Sequence, residues 1–127
     1  MADNFDAVEI IYSLISGIGV DVYKDKAPRD VSGEYVVVNS PTCGPGNSNQ
    51  TVNIAQANVN IFIPSPTDGM VNRDRLKALR TLVYSAVDGA EVEDYYCWID
   101  RSFSAPVEDA RKGYDCFTIR YELTLNT

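Results

Sequence analysis

The sequence predicts an α+β fold, a single domain in which a mainly antiparallel sheet of about five strands packs against two helices. Three observations carry that expectation. Two segments repeat apolar residues at helical spacing, five shorter runs carry strand patterning, and their order is α-β-β-β-α-β-β. The 127 residues, 45% hydrophobic and 23% charged, suit one soluble globular core, so residues 1–127 are expected to form one unit.

The first helix is expected from Met1 to Ser16. Asp3 or Asn4 can cap it, and Asp6 and Glu9 sit where the helix dipole favours acids. Phe5, Val8, Ile11, Tyr12 and Ile15 form the expected core stripe, which Ile10 and Leu14 widen sideways; Gly17 and Gly19 stop the helix. A short strand follows with Val20 and Val22 on one face, then a turn at Pro28 and Asp30. The second strand, GEYVVVNS, has three consecutive valines. It is either covered on both faces or covered on its outer face by another subunit.

Residues 40–50, SPTCGPGNSNQ, have little to bury and read as a flexible loop that does not support a strand ladder. In the third strand, Val52 and Ile54 share one parity while Ala57, Val59, Ile61 and Ile63 share the other. A bulge near Ala55 or Gln56 would restore a continuous apolar face. Thr67 or Asp68 is the expected cap of the second helix, whose stripe is Leu76, Leu79, Val83 and Ala86 and whose end is Asp88-Gly89.

The fourth strand, EDYYCWIDRSFS, is expected to place Tyr95, Cys97, Ile99 and Phe103 on one face and Tyr96, Trp98 and Asp100 on the other. APVEDARKG makes a polar connection. The last strand alternates most regularly, with Phe117, Ile119, Tyr121, Leu123 and Leu125 on its apolar face.

Catalytic and metal chemistry find little support. The absence of histidine removes Ser-His-Asp and Cys-His catalysis and the commonest zinc ligand. Cys43, Cys97 and Cys116 form no CxxC pair and read as reduced thiols of a cytoplasmic compartment. GIG at 17–19 and CGPG at 43–46 match no phosphate-binding motif. Glu91, Glu93 and Asp94 depart from EF-hand spacing, and Glu108, Asp109 and Asp115 have no spacing that marks them as an acid–base pair. The expectation is a protein that is not an enzyme and needs no cofactor or metal.

Charge points to a different kind of function. The net charge of −7 opposes binding to nucleic acid or an anionic membrane, and no apolar run is long enough to span a bilayer. Residues 73–80 nevertheless carry a local +3, which leaves −10 on the rest of the chain. Arg73, Lys77 and Arg80 share a helix face and are the candidate subunit interface. Cys43, Gly44, Pro45, Gly46, Asn47, Ser48 and Asn49 are the candidate partner-binding loop.

The element order, the APRDVSGEYVVV segment, the long hairpin loop and the terminal FTIRYELTL strand together resemble the tail terminator, or tail-completion, proteins of long-tailed bacteriophages. The resemblance spans the whole chain. It implies a structural protein of the virion tail, assembled in the bacterial host cytoplasm. Such a protein forms a homo-oligomeric ring, typically a hexamer, on the tail tube and joins it to a head–tail connector protein, with DNA passing through unbound. The alternatives are another head–tail connector or minor tail protein or, in a different class, a small ligand-binding or enzymatic α+β domain.

Overall fold

The computed structural model describes residues 2–46, 52–67, 69–90, 92, 98–108 and 110–126. Its elements are α1 (Asn4–Ile15), β1 (Asp21–Lys24), β2 (Tyr35–Pro45), β3 (Val52–Pro64), α2 (Arg73–Val87), β4 (Trp98–Val107) and β5 (Tyr114–Asn126), an α+β fold in the expected order.

The alternation of β5 makes it the spine of the sheet. Phe117, Ile119, Tyr121, Leu123 and Leu125 share the face that meets the helices, and the last four are fully buried. Antiparallel β3 runs beside it in unbroken register, from Val52 opposite Asn126 to Pro64 opposite Tyr114. Ala55, Ala57, Val59, Ile61 and Ile63 complete that buried face. The bulge expected near Ala55 or Gln56 is absent. Val52 and Ile54 instead keep even parity and lie on the opposite face.

The irregularity falls in β2, whose register with β3 shifts between Asn39 and Thr42. Ser40 and Pro41 there oppose one residue, and Ser40 Oγ donates to the Gln56 carbonyl at 2.6 Å. Past this bulge β2 continues, with Cys43 opposite Ala55 and Pro45 opposite Asn53. The expectation of a loop from residue 40 is therefore corrected. Among the described residues β1 pairs with Tyr35–Val38 and no strand flanks the later part of β2, where proline's missing N–H leaves no ladder bond unmade.

The sheet order is β1-β2-β3-β5-β4, antiparallel except for the β1–β2 pair. The segment returning from β1 to β2 crosses the face away from the helices, where Ala27 and Val31 lie with Tyr35, Val37 and Phe62 around a cavity of about 380 Å³. Of the two explanations for the three valines, coverage on both faces holds. Val36 and Val38 meet the helices, and Val37 is covered by its own chain.

β4 is the other edge. Its register with β5 shifts between Arg101 and Phe103, which changes parity partway along. Phe103 consequently joins Trp98 and Asp100 on the outer face, opposite to the expected grouping with Ile99. β4 also extends through Ala105, Pro106 and Val107, shortening the expected polar connection. Tyr95, Tyr96 and Cys97 lie outside the described residues, as do Glu91, Glu93, Asp94 and Asp109.

Both helices cover one face of the sheet and touch each other. Asp3 caps α1, accepting from the Phe5 and Asp6 amides, while Asp6 accepts from the Asp3 amide to complete a capping box. The buried face of α1 is centred on Ala7, Ile11 and Ile15, with Val8 and Ile10 beside them. That centre is rotated from the expected stripe. Tyr12 is half-buried and Phe5 is 72% exposed. In α2, Leu79 and Val83 of the expected stripe are buried and Leu76 and Ala86 partly so; Val87, outside that stripe, is buried as well. Its cap is Asn72, whose side chain accepts from the Arg75 amide, rather than Thr67; Asp68 is outside the described residues. The helix ends at Asp88, and Gly89 takes a φ of 71°.

Candidate functional site

The helix pattern of residues 73–87 puts apolar and basic stripes side by side, and the packing of α2 turns their border into a groove. Its C-terminal half is tied down. Tyr84 Oη and Ser104 Oγ are 2.6 Å apart, Arg101 reaches Asp88 at 3.5 Å, and the buried Tyr121 hydroxyl donates to Asp88 Oδ1 at 3.0 Å. Arg101 also lies 3.8 Å over the Tyr84 ring. The N-terminal half of α2 stands beside the end of β4, leaving a groove of about 640 Å³. Val71, Leu76, Pro106 and Phe117 supply its apolar surface.

All three candidate interface residues, Arg73, Lys77 and Arg80, line this groove, and Asp74 is the one acid there. Arg73 and Lys77 are exposed and have no ion pair among the described residues. Arg80 is half-buried, its guanidinium 5.4 Å from the Tyr84 ring and its buried Nε without a hydrogen-bond partner among the described residues. The remaining cation of the segment, Arg75, points elsewhere. Its Nε and Nη2 each donate at 2.7 Å to a different Glu34 carboxylate oxygen, which lowers the Glu34 pKa and raises that of Arg75. Three cations and one acid over apolar walls can hold a negatively charged segment that carries an apolar side chain.

The candidate partner-binding loop is not gathered with these residues. Cys43, Gly44 and Pro45 are strand, half-buried Cys43 packs against the core, and the Gly46 amide donates to the Val52 carbonyl at 2.7 Å. Asn47, Ser48 and Asn49 lie outside the described residues.

Burial raises the Cys43 thiol pKa and pushes that of Cys116 up to about 11, so both are protonated at neutral pH. Among the described residues no cluster of three or more His, Cys, Asp or Glu could hold a metal ion. No described helix is long and apolar enough to cross a membrane.

Sequence reasoning missed the exposed Phe5, the contribution of Pro106 to the groove and the Glu34 partner of Arg75. Each depends on contacts between distant segments. The pairing of Phe117 with Ile61, at the end of the core face, would have marked the groove wall had the register been known. No family model matches the chain, and no curated protein matches it by sequence.

Proposed function

We propose that this chain is a structural assembly protein of a long-tailed bacteriophage or prophage, a tail terminator. It forms a ring, in that family typically a hexamer, that caps the tail tube and presents the surface joining it to the head–tail connector. The observation that carries this reading is charge segregation: Arg73, Lys77 and Arg80 line one groove, while the rest of the chain is acidic. A subunit with complementary surfaces in different places assembles head to tail, and a head-to-tail contact that closes makes a ring.

The acidic remainder suits a lumen through which DNA passes without sticking. The resemblance in element order and in the YVVV and FTIRYELTL segments supports the same reading. Against a small ligand-binding or enzymatic domain with a cavity between sheet and helices, that space is filled by Ile11, Ile15, Val36, Ile61, Leu79 and Ile119.

Native mass measurement and electron microscopy of the protein, alone and with phage tail tubes, test the proposal. A closed ring on the tube end is expected. A protein that stays monomeric at high concentration and leaves tube ends bare overturns it.

A further inference from the structure

The groove beside α2 has a counterpart at the far corner of the same chain. Phe5 is 72% exposed on α1, although the capping box makes the backbone beneath it rigid. Asp3, Asp6 and Glu9 surround it in sequence, and no basic residue lies between Asp3 and Tyr12. The N-terminal helix dipole offsets about half a charge, and Lys24, 2.7 Å from Glu9, offsets one more. Three acids to the one cation Lys24 make the composition of this shoulder acidic. It pairs an apolar knob with acids, the inverse of a groove that pairs apolar walls with cations.

The two surfaces cannot meet within one molecule. Ala2 accepts a hydrogen bond from Asn53 at one end of β3, whereas groove residue Phe117 pairs with Ile61 near the other, about 25 Å along the strand. Helical spacing places Phe5 on the flank of Glu9 and Tyr12, which Lys24 of edge strand β1 contacts. The groove instead takes Pro106 from the opposite edge strand, β4, about 19 Å away across four strand spacings.

We propose that Phe5 of one copy of this chain inserts into the α2 groove of the next, between Leu76 and Phe117, with its flanking acids against Arg73, Lys77 and Arg80. The occupant is a second copy because the chain itself carries the charge and shape complement. In a ring this contact is heterologous, so every copy keeps one free knob and one free groove until the assembly closes. Phe5 is the central anchor and the charges set its register. This contact rests on the ring reading above and names the two surfaces that join.

The test uses two variants and their mixture, followed by native mass spectrometry, with circular dichroism confirming the fold of each. Phe5→Glu alters an exposed residue and leaves the groove intact. The double variant Arg73→Glu, Lys77→Glu alters two exposed cations and leaves the knob intact. Each variant alone is expected to be monomeric where the unaltered chain assembles, with the contact weakened roughly ten- to a hundredfold. An equal mixture should stop at one-to-one dimers, since one intact knob and one intact groove remain.

Assembly of Phe5→Glu like the unaltered chain overturns the contact but leaves the ring reading standing. A mixture that forms no dimers, or builds larger species, overturns the pairing of these two surfaces. An unaltered chain that is monomeric both alone and with tail tubes overturns the contact and the ring reading together.

Discussion

Arg75 grips Glu34 through two 2.7 Å hydrogen bonds, tying the first turn of α2 to the residue before β2. The pair is partly solvated, so its contribution is small despite the fork geometry. Arg75→Ala should destabilise the fold by about 0.5–1 kcal/mol, read as a lower urea midpoint at unchanged slope. Because Arg75 points away from the groove, oligomer mass should not change.

The same pair sets a pH dependence. The Arg75 hydrogen bonds hold the Glu34 carboxyl below its ordinary value of 4.5, so the folded state favours its charged form. The stabilisation is complete above the ordinary value and disappears as pH falls through the depressed one. Urea midpoints of the unaltered protein and Glu34→Gln should therefore differ at neutral pH and converge as the pH falls below the depressed carboxyl value. A difference that persists undiminished in acid would show that the carboxylate charge is not what Arg75 holds.

Tyr121 titrates at the other extreme. Burial, then its hydrogen bond to Asp88, raises its hydroxyl above the ordinary 10.0. A raised folded value means stability present below pH 10 and lost as pH climbs beyond it. Tyr121→Phe should cost about 1 kcal/mol at pH 7 by removing the hydrogen bond, and should flatten the loss of stability in alkali. Denaturant midpoints at pH 7 and above pH 10 measure both effects.

Two glycines, Gly44 within β2 and Gly46 just beyond its end, separate the strand at residues 43–45 from the loop expectation. An added Cβ at Gly46 lies 3.0 Å from Ile54 Cγ1 and 3.1 Å from Val52 Cγ1, whereas one at Gly44 meets nothing within 4 Å. Gly46→Ala should destabilise by about 1 kcal/mol through crowding, while Gly44→Ala should be neutral or stabilise by about 0.5 kcal/mol through the unfolded chain. Equal effects at the two positions would contradict the register of Gly44 with Ile54.

How legible the fold was in the sequence follows from which signals are local. The period-two pattern of Phe117–Leu125 and the stripe of Leu76, Leu79 and Val83 are local, and they correctly identify β5 and the buried face of α2. The bulges at Ser40-Pro41 and beside Arg101 are defined by residues on the partner strand, so parity alone placed one in the wrong strand and misassigned Phe103. Phe5 obeys helical spacing with Val8 and Tyr12, yet the sheet meets α1 along Ala7, Ile11 and Ile15. Charge spacing brought Arg73, Lys77 and Arg80 together correctly, but nothing local names Pro106 as their neighbour.

Salt provides the last prediction, because the proposed contact combines two forces that respond to it in opposite ways. Exposed charges such as Arg73 and Lys77 are screened over about 10 Å at 0.1 M ionic strength and about 3 Å at 1 M. Burial of Phe5 is not weakened by sodium chloride and is strengthened by sulfate. Assembly of the unaltered chain should thus loosen as sodium chloride rises and recover in ammonium sulfate of matched ionic strength. Charge reversal at Arg73, Lys77 and Arg80 should weaken assembly most at low salt, where repulsion from the acidic shoulder is unscreened. Phe5→Ala should weaken it by a similar factor at every sodium chloride concentration. Sedimentation velocity across a salt series gives these dependences directly, and a triple reversal whose assembly matches the unaltered chain at low salt removes the α2 stripe from the interface.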